Sequence, residues 1–247
     1  MENDIVIYVC THTDFKPYVH DKHYQTLDRR EVDPEGLRLD DDFYSEIYMY
    51  KWVRDHIPNT KYIGFCHYRK YFAFMDHLPD FDEIFKEHDI CLPEPMIFKE
   101  TIRGQYAKGH NIEDLEIVES IIRTEFSDYV DAFEETMNST NFYACNMFIM
   151  KTEEFPDYFD FVLGVLDKYI DTVGIDYIGR IESNQDKYLK DFPPCNIIEY
   201  QHRIGGYLAE RLTNTYIRKH YKNPLELMWC TTEIKGCYLY NNTIWTY

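Results

Sequence analysis

Three short apolar runs constrain the fold of this chain more than any other feature of its sequence. They cover residues 5–10, 62–66 and 142–150, and one amide, Asn146, interrupts the third. A short run without polar alternation is typical of a strand that is covered on both faces, as in a parallel sheet. Because helix-like stretches separate the runs, the sequence predicts an α/β protein.

The segments around these runs predict the remaining elements. The spacing of apolar side chains favours helices at 43–56, 80–88, 111–123, 128–137, 153–169 and 207–220, and a short strand at 89–93. Residues 16–42 and 98–111 are expected to be irregular, 171–202 mixed with a turn at Pro193-Pro194, and 225–247 β structure or loop. No linker-like segment divides the chain, so we expect one domain.

Charge and composition exclude several classes of protein. The chain carries 44 acidic and 26 basic side chains, a formal net charge of −18 at pH 7. Nonspecific nucleic-acid binding needs a cationic face, so nucleic acid is not an expected partner. No apolar run reaches the roughly 18 residues of a transmembrane helix, and the first residues do not resemble a signal peptide. The seven cysteines contain no CxxC motif, which favours reduced thiols in a cytoplasmic protein.

Four common enzyme fingerprints are missing from the sequence. It contains no GxGxxG after the first strand, no GxxxxGK[ST], no GxSxG and no HExxH. Dinucleotide-binding, P-loop, α/β-hydrolase and zincin chemistry are therefore not expected.

The most unusual element is the run His67-Tyr68-Arg69-Lys70, which follows the second predicted strand. It delivers an imidazole, a guanidinium and an ammonium within four residues. A guanidinium offers a planar fork to a phosphate or diphosphate. The alternative is an arginine that is paired with one of the many carboxylates.

Asp40-Asp41-Asp42 is the strongest acidic cluster and has two interpretations. Its oxygens suit a divalent cation, with Asp40 and Asp42 as the leading ligands. In so acidic a chain, it can equally be a solvated loop that caps the following helix. His12, His20 and His23 lack the tight spacing of a structural zinc site.

Two further groups are ambiguous. Asn146 stands among apolar residues and must find polar partners, either in a ligand or in neighbouring backbone. The double glycine Gly205-Gly206 lies between Arg203 and Glu210 in the sequence and permits a close approach to the backbone. Glu210 can serve a ligand, or it can simply favour the start of a helix.

Taken in order, several segments resemble a family of glycosyltransferases from bacterial capsule and exopolysaccharide loci, long known only as a domain of unknown function. The resemblance covers most of residues 1–220. The matching stretches are 45–52, the segment YIGFCHYRKYF at 62–72, GHNIEDL at 109–115, NMFIM at 146–150 and RIGGYLAERL at 203–212.

The resemblance implies a GT-A-type α/β/α sandwich with a mixed, mostly parallel sheet. It implies transfer of a sugar from a UDP-sugar to a saccharide or glycan acceptor, which can be lipid-linked. Residues 1–145 would bind the nucleotide-sugar and 146–220 the acceptor, with 221–247 as a C-terminal extension. The residues that it places at the donor are Thr11, His12, His67, Arg69, Asn146 and Arg203. Glu210 is its candidate general base, and Asp186 is a second candidate.

Metal dependence is left open by the resemblance. Many GT-A enzymes bind Mn²⁺ or Mg²⁺ through an Asp-x-Asp, and His67-Tyr68-Arg69 stands in that place here. A cationic Arg69 and a protonatable His67 can neutralise a leaving diphosphate, or Asp40 and Asp42 can supply metal oxygens. The alternatives are a metal-dependent phosphoesterase or nucleotidyl enzyme, and a noncatalytic nucleotide- or carbohydrate-binding module.

Overall fold

A nine-stranded mixed sheet forms the centre of the molecule in the computed structural model, which describes residues 4–75, 77–231 and 238–239. Its strands are β1 Ile5–Thr11, β2 Tyr24–Asp28, β3 Tyr62–His67, β4 Lys70–Phe72, β5 Cys91–Pro93, β8 Phe148–Lys151, β9 Leu225–Leu227, β10 Trp229–Thr231 and β11 Tyr238–Leu239. Strands β6 (Met96–Ile97) and β7 (Asn141–Phe142) form a separate antiparallel pair.

The longest pairings of this sheet are parallel. β1 lies between β2 and β3 and runs parallel to both, with Cys10 opposite His67 and Thr11 opposite Asp28. β8 pairs with β3 in the antiparallel direction, as do the strands of the β3–β4 hairpin. Since β1, β2 and β3 share one direction, the polar residues that follow them meet at one edge of the sheet.

Helices cover both faces of the sheet, and one layer is much thicker. The helices are α1 Asp41–Tyr44, α2 Ile47–Asp55, α3 Phe81–Glu87, α4 Ile102–Gly109, α5 Ile112–Glu125, α6 Val130–Asn138, α7 Phe155–Val173, α8 Tyr177–Ser183, α9 Gln185–Tyr188, α10 Ile198–Gln201 and α11 Ile204–His220. Val6 and Tyr8 face the thick layer, which contains α7 and α11, whereas Ile5 and Ile7 face the thinner layer with α3. The predicted α/β class and mixed, mostly parallel sheet are confirmed.

The structure departs from the sequence-based predictions in four places. The predicted helix at 43–56 is divided into α1 and α2, because Ser45 adopts a positive φ of 55°. The predicted strand at 142–150 is two strands, because Cys145 and Asn146 adopt left-handed backbone angles (φ 67° and 50°) and turn the chain between β7 and β8. The predicted loop at 98–111 contains α4, whose first turn Thr101 caps by accepting a hydrogen bond from the Gly104 amide. β2 was missed because it is an outer strand whose Gln25 and Thr26 are exposed.

The double glycine at 205–206 lets α11 approach another part of the chain. A Cβ atom on Gly205 would lie 2.5 Å from the Phe43 ring, and one on Gly206 would lie 2.7 Å from Cβ of Ser45. Both distances are far below van der Waals contact, so side chains at these positions would push α11 away from the junction of α1 and α2. This contact brings the start of α11 to the edge where β1 and β3 end.

The last predicted segment, 225–247, contains β9, β10 and β11, and its other residues from 232 onward lie outside the described part of the chain. In the described residues, no helix is both long enough and apolar enough to cross a membrane.

Candidate functional site

A cleft of about 1030 Å³ opens beside the end of β3. One wall is the β3–β4 hairpin, the opposite wall is the first half of α11, and the junction of α1 and α2 lies between them. The polar and charged residues that line it include Ser45, Glu46, His67, Arg69, Lys70, His110, Arg203, Glu210 and Arg211. Four of the predicted site residues therefore meet here: His67, Arg69, Arg203 and Glu210.

His67 is a neutral imidazole in this hairpin. Burial lowers its pKa well below the usual range, and the charges of Lys70 and Arg69 lower it further. The Arg69 amide donates to Nδ1 of His67 over 3.3 Å, so the ring proton belongs on Nε2. The protonatable His67 of the sequence analysis is therefore uncharged in the free protein and offers an N–H donor.

Cationic groups stand on both walls of the cleft. The Arg69 guanidinium lies 5.0 Å from the centre of the Tyr68 ring. Lys70 lies 2.7 Å from Sγ of Cys145; although burial alone would lower its pKa, Cys145 raises it, so Lys70 remains an ammonium. Across the cleft, Arg203 donates to Oγ of Ser45 over 2.7 Å. Together they make this region attractive to an anion.

Glu210 lies one helical turn after Gly206 on α11 and is held by two donors. The Cys145 amide donates to Oε1 over 2.7 Å, and Arg211 donates to Oε2 over 3.1 Å. Burial raises the pKa of Glu210, and Arg211 opposes that shift without cancelling it. The side chain is 18% exposed, so this carboxylate combines raised basicity with access to the cleft.

Asn146 does not line the cleft; it positions a residue that does. It is fully buried, donates to Oε1 of Glu46 over 2.9 Å, and accepts from the Thr213 hydroxyl over 2.6 Å. The Tyr50 hydroxyl donates to its backbone carbonyl. Its expected contact with a ligand is therefore replaced by contacts with protein. Glu46, its partner in the cleft, was missed because nothing in its local sequence distinguishes it from the other acids.

The two predicted residues at the end of β1, Thr11 and His12, are not among the residues that line the cleft. Thr11 is buried, and its hydroxyl donates to the Thr13 carbonyl, which closes a turn. His12 is exposed and meets the edge of the Tyr68 ring. Partial burial and the Arg29 guanidinium lower its pKa. A second concavity of about 570 Å³ adjoins this turn, lined by residues 15–18, His20, Tyr68 and Arg69.

Comparison with known proteins assigns a family to this fold and site. The family model described as "Domain of unknown function (DUF4422)" matches residues 35–222. The chain belongs to this family. Its structure is similar to "WbbM bifunctional glycosytransferase apo structure", with a TM-score of 0.72 and 19% sequence identity. The match covers 94% of this chain but 46% of the other, so this chain spans less than half of that bifunctional protein. None of the curated proteins compared matches the sequence.

Asp186 lies away from the cleft in this DUF4422 domain. It is exposed in the first turn of the short helix α9, next to Lys187, which pairs with Glu113 at the surface. It is not among the residues that line the cleft. Of the two predicted catalytic carboxylates, the fold thus brings only Glu210 to the cationic groups.

The Asp40–Asp42 triplet does not fit a divalent cation in this domain. Asp40 caps α1 by accepting from the Phe43 amide, and the same oxygen accepts from the Tyr177 hydroxyl. Asp41 pairs with Arg29 over 2.7 Å, and Asp42 lies 3.5 Å from the same guanidinium. Throughout the described part of the chain, no group of three or more histidine, cysteine or acidic side chains could hold a metal ion. The helix-capping interpretation accounts for this cluster.

Proposed function

We propose that this protein is a glycosyltransferase that moves a sugar from a UDP-sugar to a saccharide or glycan acceptor, in the synthesis of a polysaccharide such as a capsule. The single observation that carries the proposal is the composition of the cleft. Arg69, Lys70 and Arg203 line the same cleft as the basic, partly accessible carboxylate of Glu210. The fold shared with a bifunctional glycosyltransferase supports the same conclusion.

The cationic groups would take the part of a metal ion at the donor. When the glycosidic bond to the diphosphate breaks, its electron pair stays on the phosphate oxygen, and UDP leaves with increased negative charge. Arg69 and Arg203 can stabilise that charge through hydrogen bonds, and neutral His67 can add its Nε2 proton. We therefore propose that Mn²⁺ or Mg²⁺ is not needed for donor binding.

Glu210 would act on the acceptor. In an inverting transfer, an acceptor hydroxyl attacks the anomeric carbon and gives its proton to a general base. The Cys145 amide and Arg211 orient the Glu210 carboxylate, and burial raises its pKa toward the working range of such a base. Glu46, held by Asn146, is the nearest alternative.

The concavity at residues 15–18 would hold the uracil end of the donor, because Arg69 lines both this concavity and the cleft and Tyr68 offers an aromatic ring beside it. The acceptor can be lipid-linked, reached through a local patch, since a net charge of −18 does not attract anionic lipid. A cytoplasmic location is part of the proposal: the six described cysteines are free thiols, and five of them are buried.

Calorimetric titration with UDP, once with Mn²⁺ and once with EDTA, tests the proposal. We expect the same affinity in both conditions, and a loss of about tenfold or more in Arg69→Ala, which removes a charge-assisted hydrogen bond. Arg38→Ala is the matched control, because Arg38 pairs with Asp171 on the surface. Absence of UDP binding in both conditions, or unchanged affinity in Arg69→Ala, would contradict the diphosphate site.

Turnover separates the enzyme from the noncatalytic alternative. Release of UDP from a panel of UDP-sugars, measured with and without saccharides, is expected from a transferase. Tight UDP binding without any release would favour a binding module. The metal-dependent phosphoesterase alternative has no structural support at Asp40–Asp42, whose oxygens serve a helix cap and Arg29.

A further inference from the structure

We propose that the part of the cleft formed by Tyr200, Tyr207 and His110 binds the acceptor as an uncharged sugar ring, with one sugar hydroxyl donating to Nε2 of His110. This inference rests on the proposed glycosyltransferase function and deepens it, because it assigns a ligand class to a region away from the cationic groups. All three residues line the cleft.

Gln201 determines which nitrogen of His110 carries the proton. The Gln201 amide nitrogen donates to two backbone carbonyls, those of Gly109 (3.0 Å) and Cys195 (3.3 Å). Since a carbonyl can only accept, the amide cannot be reversed, and Oε1 of Gln201 must face His110. Nδ1 of His110 lies 2.9 Å from that oxygen and must therefore donate.

The other ring nitrogen is left as a hydrogen-bond acceptor. With the proton on Nδ1, Nε2 carries a lone pair, and it has no hydrogen-bond partner among the described residues. Burial, together with the charge of Arg211, lowers the pKa of His110 to about 3. The ring thus stays neutral at physiological pH, and Nε2 can accept a hydrogen bond but repels an anionic oxygen.

Stacked rings surround this acceptor. The His110 ring lies 4.1 Å from the Tyr207 ring, centre to centre, with 27° between their planes, and Tyr200 lies 5.2 Å from Tyr207. The Tyr207 hydroxyl donates to the Tyr200 carbonyl, which fixes the pair. Flat aromatic surface beside one uncharged acceptor suits the C–H face and the hydroxyls of a sugar, rather than a phosphate.

Tyr207 also connects this region to the proposed chemistry. Its ring lies 6.0 Å from the Arg203 guanidinium, so the aromatic surface borders the cationic region. Glu210 follows Tyr207 by three residues on α11, which puts both side chains on one face of the helix. A sugar on this surface would therefore stand between the donor phosphates and the candidate base.

The ring state of His110 can be tested without knowing the sugar. In ¹⁵N-labelled protein at pH 7, long-range ¹H–¹⁵N correlation spectra assigned with His110→Phe should show His110 with a protonated Nδ1 and an unprotonated Nε2. An imidazolium, or the tautomer with the proton on Nε2, would overturn the proposal.

The ligand class is tested by saturation-transfer NMR with the methyl glycosides of D-glucose, D-galactose and D-mannose. We expect transfer to at least one glycoside in the wild type, reduced about fivefold or more in His110→Phe, which keeps the stacked ring but removes the acceptor nitrogen. No transfer to any glycoside, or equal transfer in both proteins, would overturn the proposal.

UDP affinity and melting temperature of the same two proteins provide the controls. His110→Phe leaves Oε1 of Gln201 unpaired, which can destabilise the protein. Retained UDP binding and melting temperature would show that the variant is folded. If the wild type binds a glycoside through His110 but does not bind UDP, the proposed donor fails while the sugar site stands. If UDP binds and no glycoside does, the proposed sugar site fails while the proposed donor stands.

Discussion

Asp114–Arg180 and Glu210–Arg211 are both carboxylate–guanidinium pairs with little access to solvent, but opposite partners face outward. In the first pair the carboxylate is fully buried and the guanidinium is 23% exposed. In the second the guanidinium is 2% exposed and the carboxylate 18%. Burial raises the pKa of both carboxyls. A raised pKa alone therefore does not identify a reactive group; access of the carboxylate does.

The hydrogen-bond donors around the two carboxylates also differ. One oxygen of Asp114 accepts from Arg180, Tyr169 and Tyr188, which joins α5, α7, α8 and α9. Glu210 accepts from one backbone amide and one guanidinium, and it faces the cleft. The first pair is a structural connection between helices, whereas the second is available to a ligand.

The largest expected effect is the loss of turnover in Glu210→Gln. The amide keeps the size of the side chain but cannot accept a proton, so we expect kcat to fall by about 10²- to 10⁴-fold. Arg211 retains the Tyr207 carbonyl and Gln105 as acceptors, and the fold should survive. The measurement is UDP release with an active donor and acceptor; a kcat within a few-fold of the wild type would transfer the role of base to Glu46.

Asp114→Asn is expected to act on stability instead. Removing the buried charge leaves Arg180 without its counterion, which should cost about 3 kcal/mol in the free energy of unfolding. UDP affinity at low temperature should stay unchanged, because Asp114 lies outside the cleft. Chemical denaturation of this variant and of Glu210→Gln, side by side, measures the contrast; equal destabilisation of both would show that the two pairs play the same role.

The pH dependence of kcat and of stability is expected to show an effect of intermediate size. The folded protein raises the pKa of Glu210 above its ordinary value of 4.5, so folding favours the protonated form. Its contribution to stability is present below pH 4.5 and is lost as the pH rises through the raised pKa. Over that same window kcat should rise, since only the carboxylate is a base. Rate and melting profiles against pH should show both trends, and Glu210→Gln should remove both.

The smallest expected effect belongs to Asp186→Asn. Asp186 is exposed on α9 outside the cleft, so kcat, UDP affinity and melting temperature should each stay close to wild-type values. A loss of turnover approaching that of Glu210→Gln would show that α9 reaches the acceptor during the reaction.

The sequence predicted what local patterns encode. The apolar runs identified β1 and β3, and Asn111 was correctly placed at the start of α5. Arg69 and the glycines before Glu210 could also be recognised, because a guanidinium directly after a buried strand and a double glycine are unusual in a sequence. Strand β2 and helix α4 lacked a strong apolar period and were missed.

Contacts between distant parts of the chain could not be predicted. Asn146 reaches Glu46 across 100 residues, and His110 reaches Gln201 across 91. Asn146 is unusual in its own segment, but its partners are not visible there, and Glu46, His110 and Gln201 are ordinary in theirs; the contacts exist only after the sheet and the helices have packed. For that reason the sequence leaves the partner of Asn146 open between a ligand and backbone, the family resemblance places it at the donor, and His110 receives no role.

The close contact between Gly206 and Ser45 limits which substitutions such a protein can accumulate in evolution. Arg203 immediately precedes α11, and Tyr207 and Glu210 lie in its first two turns, next to the contacts of Gly205 and Gly206 with the α1–α2 junction. A larger residue at either glycine would therefore displace all three side chains together. If the proposed function is correct, substitutions in the segment 94–100, which also lines the cleft, can change the preference for one substrate alone, whereas a substitution at these glycines would affect both.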